Sequence, residues 1–201
     1  MNYKIKNQID NLPERYKSLK FIFNMKNKWY ILGKLVFSAS YKGIIIRKAI
    51  KLQIEIPDSF PNEAPKIKEL ENKLSGFPHI NDDGYFCLGT PESLAKALNC
   101  YSTLESFFDK ILISFLYCAF YYVKHKKNPF PCASHGFIGR LEEYCLLFDV
   151  DDPLIALKFF NLVNKTNLDY NQKCPCGSGY SLKNCHKQKV DDLRELMKLN
   201  C

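Results

Sequence analysis

Cys87 closes the run Phe77-Pro78-His79-Ile80-Asn81-Asp82-Asp83-Gly84-Tyr85-Phe86-Cys87-Leu88, a thiol just past a polar, turn-rich loop. A cysteine works as a nucleophile when it has thiolate character, an exposed position on a shaped loop, and donors for the oxyanion formed on an attacked thioester. The run supplies parts of this. Gly84 permits a tight turn, Asn81, Asp82 and Asp83 are turn-formers, and Tyr85 and Phe86 can tuck the loop against a core. His79, eight residues upstream, is placed to donate a hydrogen bond. The same residues also support a plainer reading. Cys87 is then a small core residue at a strand end, His79 a loop histidine bonded to backbone, and the two aspartates a solvated turn. Otherwise those aspartates bias an incoming lysine toward its neutral form.

A second cluster lies near the C-terminus, where Cys174-Pro-Cys176-Gly-Ser-Gly179 is followed by Cys185-His186. Four soft or borderline ligands fall within thirteen residues, with glycines between the pairs to reverse the chain. That is the donor set of a tetrahedral zinc ion, and with four protein ligands the site is structural and not hydrolytic. So short a segment carries little core, so the metal is expected to provide most of its folding energy. The competing reading is reduced cysteines in a disordered tail. Such a knuckle serves to dock a protein partner, with nucleic-acid contact by nearby lysines as the other use. Cys132 with His135 forms a rival Cys/His pair, and Gly139-Arg140-Leu-Glu142-Glu143-Tyr144 a further polar cluster. Cys100, Cys118 and Cys145 read as core, and Cys201 as a free terminal thiol.

The elements that must position these residues follow from periodicity. Residues 1–17 form a short helix with Pro13 as a breaker. Lys20 to Met25, Trp29 to Phe37, Ile44 to Ile56 and Lys66 to Leu70 read as four strands joined by short loops, hence an antiparallel meander. Ser38 to Gly43 is the expected connection between the second and third. From Pro91 the period becomes helical: Ser93 to Leu98, then a helix capped by Ser102 or Thr103 with Leu104, Phe107, Phe108, Ile111, Leu112, Phe115 and Leu116 on one face. Phe137 to Phe148, Pro153 to Val163 and Val190 to Leu199 follow. The whole is an α+β layer fold.

The chain has 201 residues, 46% of them hydrophobic, enough for a domain and an appendage. The start never reaches the apolar length of a signal peptide, and Ile111 to Val123 is too short to span a bilayer. With nine cysteines, this points to a reducing, cytoplasmic setting. The net charge of +8 is spread along the chain and favours an acidic partner only weakly. No Gly-rich phosphate loop is visible, so any acyl activation falls to a separate adenylating enzyme or is not needed.

Phe60-Pro61-Asn62-Glu63-Ala64-Pro65, then Phe77-Pro78-His79, then Gly84-Tyr85-Phe86-Cys87-Leu88 resembles the active-site region of the ubiquitin-conjugating enzymes. That family carries Tyr/Phe-Pro-x-x-Pro-Pro, His-Pro-Asn and Gly-x-Ile-Cys-Leu in the same order. The triplet-to-cysteine spacing is the same, and Tyr101-Ser102-Thr103 resembles the family's Trp-Ser-Pro helix start. The resemblance spans roughly residues 18–122. It implies a four-stranded meander packed on helices and a transferase that carries a protein's C-terminus as a thioester on Cys87 before passing it to an amine. His79 stands where the family has Asn, and Phe77 where it has His, which leaves the oxyanion role open. The stretch from Cys87 to Tyr101 is longer than usual, so a lid or altered partner surface is expected there. These departures resemble the divergent bacterial branch found in antiphage defence operons. There, similar proteins join a cyclic-GMP-AMP-synthase-like nucleotidyltransferase or a ubiquitin-like protein to targets. Inactive relatives make a catalytically silent adaptor the alternative, and a zinc-dependent nucleic-acid binder is a third reading. The cysteine cluster, with its downstream Lys183, resembles the SEC-C motif. The implied division is a conjugating domain over residues 1–163, a linker over 164–173, and a zinc knuckle with terminal helix over 174–201.

Overall fold

The computed structural model describes residues 3–25, 28–130, 134 and 136–199. Contacts group the chain into two compact units, residues 1–89 with 94–131 and residues 90–93 with 132–201. The expected boundaries at 163/164 and 173/174 both lie inside the second unit.

The first unit is an α+β layer. Helix α1 (Tyr3–Arg15) buries Ile5, Ile9 and Leu12, a helical spacing that lays one stripe on the core. Pro13 does not break it: it falls in the last turn, where the amide that proline lacks removes a single bond. Strands β1 (Leu19–Met25), β2 (Lys28–Tyr41), β3 (Ile44–Pro57) and β4 (Lys66–Glu69) form one antiparallel sheet in that order. Strand alternation puts Trp29, Ile31, Leu35 and Phe37 of β2, and Ile50, Leu52, Ile54 and Ile56 of β3, on the buried face. The expected Ser38 to Gly43 connection is shorter in the structure. Both strands continue to Tyr41 and Ile44, and only Lys42 and Gly43 turn the chain. Their φ values of 46° and 80° suit a two-residue hairpin whose twist matches the strands.

After the loop bearing Cys87 come α2 (Pro91–Cys100), where the lengthened stretch was expected, and α3 (Leu104–His125). Thr103 caps α3: its hydroxyl accepts from the Ser106 amide, and the Ser106 hydroxyl accepts from the Thr103 amide. One π-helical turn, Phe108–Leu112, interrupts α3 and lets the consecutive Phe107 and Phe108 both point inward. By length and composition α3 could cross a membrane, yet half of its most apolar window is buried inside the fold, where it packs on β2 and β3.

The second unit holds α4 (Gly136–Phe148), α5 (Pro153–Val163) and α6 (Lys187–Leu199). Asp152 caps α5 by accepting from the Leu154 amide at 2.8 Å, and Pro153 takes the first helical position. Phe148 stacks on Phe159 at 4.1 Å in a core completed by Tyr144, Leu182, Val190 and Leu193. Residues 164–173 are not a free linker: Leu168 and Tyr170 pack on this core, and the Tyr170 and Gln172 carbonyls accept from Lys183 and Leu182.

Candidate functional site

The loop bearing Cys87 is a hairpin clamped at both ends by aromatic rings. The Cys87 amide donates to the His79 carbonyl at 2.9 Å, the Asn81 amide to the Tyr85 carbonyl at 2.9 Å, and the Gly84 amide to the Asn81 carbonyl at 2.8 Å. Phe77 and Phe86 anchor the two arms on Phe115 of α3, at ring separations of 5.5 and 4.7 Å. The Phe86 amide donates to the Ile67 carbonyl, tying the outgoing arm to β4. Gly84 has φ of +83°, and Lys68 reaches over the turn to the Asp83 carbonyl at 2.9 Å.

Cys87 is half-buried and lines a groove of about 490 Å³. Its neighbours there include Glu63, Ala64 and Pro65 from the Pro-rich segment, Asp83 and Tyr85 from the loop, and Glu55 from β3. His79 reaches Cys87 through backbone; its ring lies beside Phe77 at 5.4 Å and is not among the groove's lining residues. Asp82 is exposed, whereas the Asp83 carboxylate accepts from the Tyr85 amide at 3.1 Å.

One residue of the groove, Glu55, carried no signal in the sequence. Glu55 falls at an outward position between the buried Ile54 and Ile56, which reads as an ordinary surface carboxylate. In the fold it is buried, because the Tyr85 hydroxyl closes over it and donates to Oε1. That bond, followed by burial, pushes the Tyr85 phenol up to about 12, so it stays a neutral donor.

At the other cluster the structure brings together all four proposed ligands. The Sγ atoms of Cys174, Cys176 and Cys185 and Nδ1 of His186 lie within 4.8 Å of one another, and the group could hold a metal ion. Cys174 to Cys176 is 3.4 Å, Cys176 to Cys185 3.6 Å, and His186 Nδ1 lies 3.2 and 3.1 Å from Cys174 and Cys185. The edge of a tetrahedron of thiolates about 2.3 Å from a central ion is about 3.8 Å, so the donors surround a space of the right size. Nε2 of His186 lies 3.1 Å from the Phe148 carbonyl. A bond there places the proton on Nε2 and leaves the Nδ1 lone pair facing the sulfurs. Burial raises the Cys174 thiol. At Cys176 burial also acts upward, but the Ser178 hydroxyl and amide outweigh it and hold the thiol low.

This segment has more core than its length suggests. Cys174, Leu182, Val190 and Leu193 are buried against Tyr144, Phe148 and Phe159, so apolar packing contributes to its order beside any bound metal. Of the remaining cysteines, Cys118 is buried and Cys145 half-buried, as expected of core residues. Cys100 is exposed, because α2 ends two residues after its last buried position, Leu98. The polar run on α4 is a staple: Arg140 grips the buried Glu92 with Nε at 3.2 Å, Tyr144 donates to it at 3.3 Å, and Ser134 donates to Glu142 at 2.6 Å. Cys132, His135 and Cys201 lie outside the described residues. No protein-family model matches the chain, and no curated protein matches it.

Proposed function

We propose that the chain is a ubiquitin-conjugating-enzyme-like transferase that carries a protein C-terminus as a thioester on Cys87 and passes it to an amine. The carried protein has a C-terminal glycine: a cyclic-GMP-AMP-synthase-like nucleotidyltransferase or a ubiquitin-like protein in bacterial antiphage defence, in the cytoplasm. The observation that carries this reading is the Cys87 hairpin opening on a groove walled by the Pro-rich segment. An extended tail needs such a channel to reach the sulfur, and a thiolate leaves readily when an amine attacks its thioester. The four-stranded meander with α3 across it is consistent with the ubiquitin-conjugating fold. The Cys/His cluster is read as a structural zinc site of the SEC-C type. Cys174, Cys176, Cys185 and His186 would hold the ion, which would tie the 174–176 turn to the residues just before α6.

One observation favours the silent adaptor instead: the His79 ring lies beside Phe77 and does not line the groove, leaving its oxyanion role unfilled. Co-expression with a nucleotidyltransferase ending in glycine separates the two. The wild type is expected to form an adduct lost on reduction, and Cys87→Lys one that survives it, as an amide does. A stable complex with no covalent adduct in either protein, indifferent to Cys87→Ser, means the adaptor.

A further inference from the structure

Glu55 is the one carboxylate of the Cys87 groove that the fold buries. Glu63 and Asp83, at the same groove, are exposed and already accept from the Ser59 hydroxyl at 3.0 Å and the Tyr85 amide at 3.1 Å. A carboxylate taken out of water needs donors. Glu55 has two, the Tyr85 hydroxyl and Gln53 Nε2 at 3.1 Å, and both go to Oε1. Across the sheet Glu55 faces Tyr30 on β2 and Lys66 on β4. One oxygen is thus held in place while Oε2 has no protein donor among the described residues.

An alkyl amine at pH 7 is almost all ammonium, with about one molecule in two thousand neutral. Attack on a thioester therefore requires a group beside the sulfur that removes a proton. We propose that Glu55 is that group, that Tyr85 positions its carboxylate, and that the acceptor is accordingly a primary alkyl amine such as a lysine side chain. This rests on the acyl-transfer reading of Cys87. The ammonium docks on Glu55 and gives it one proton, which passes to water. The neutral nitrogen then adds to the thioester carbonyl. As the adduct collapses, the carbon–sulfur bond breaks, Cys87 leaves as thiolate, and the second proton passes from nitrogen to water. An amide and a free thiolate remain. Glu63 and Asp83 at the exposed margin attract the cation, and Lys66 is the opposing charge.

The test loads Cys87 chemically with a short Gly-ending peptide thioester of mercaptoethanesulfonate, with Cys87→Ser subtracting label on Cys100, Cys176 and Cys185. Discharge of the loaded protein is then followed by intact mass with two amines: Nα-acetyl-lysine amide, and hydroxylamine, which is already neutral at pH 7. Glu55→Gln is expected to slow lysine discharge on the order of 100-fold. It should leave hydroxylamine discharge within about twofold, since that amine is neutral before it attacks and the proton it later loses goes to water. The lysine defect should shrink as pH rises toward 10. Tyr85→Phe should show the same split at about tenfold, and Glu55→Asp should restore part of the lysine rate. Should Glu55→Gln fail to load, those two variants carry the comparison. Equal loss with both amines, or lysine discharge at the wild-type rate, overturns the role of Glu55 while acyl transfer stands. A wild type that cannot be loaded at Cys87 overturns both.

Discussion

At the level of single residues, buried hydroxyls against carboxylates recur, and Tyr16 is the one whose consequence is cleanest to measure. It sits in the core of the first unit and donates to Asp109, which also pairs with Arg15 at 2.6 Å, so the end of α1 is fastened to α3. Burial, then the bond to Asp109, raises the Tyr16 phenol well above its ordinary 10.0. A raised value means that the folded state keeps the proton after the unfolded chain has lost it. The stabilisation is therefore complete below pH 10 and declines as pH rises above it. Tyr16→Phe is expected to cost about 1–2 kcal/mol at pH 8. Between pH 8 and 10.5 its urea midpoint should fall less than that of the wild type; parallel declines would show that Tyr16 is not linked to folding in this way.

Among the elements, the Cys87 hairpin depends on one backbone conformation. Gly84 adopts φ of +83°, and a Cβ there would meet Lys68 Cε at 2.9 Å, a flexible chain end that can move aside. The cost of Gly84→Ala is thus mainly conformational, about 1–2 kcal/mol. Gly84→Asn should cost less, because asparagine tolerates this region. Urea titration checks the order, and loading of Cys87 should slow in the same order. If alanine and asparagine prove equally costly, contact with Lys68 and not backbone conformation is the reason. Phe77, clamped with Phe86 on Phe115, serves the core and not the groove.

For the molecule as a whole, each unit has its own core, and the Cys174, Cys176, Cys185 and His186 cluster belongs to the second. The single tryptophan, Trp29, is buried in the first and reports on it alone. Metal analysis is expected to find one zinc per chain. Its removal by a strong chelator should lower the helical circular dichroism of α6 and the melting temperature of the second unit, while the Trp29 emission maximum stays in place. Cys176→Ser should mimic the chelator. Retention of full helicity without metal would mean that Leu182, Val190 and Leu193 hold the cysteine-bearing segment and α6 unaided.

Local pattern was enough for the four strands, α3 with a cap at Ser102 or Thr103, a turn-rich loop before Cys87 and the spacing of Cys174, Cys176, Cys185 and His186, because periodicity, turn chemistry and ligand spacing act over a few residues. Long-range packing, by contrast, sets that Glu55 is covered by a tyrosine thirty positions away, that His79 turns toward Phe77, that Cys100 faces solvent, and that residues 164–173 join a core with α4 and α5. Those outcomes depend on which distant surface closes over a given position. A strand's alternation says which side a residue faces, but not what, if anything, will be packed against that side.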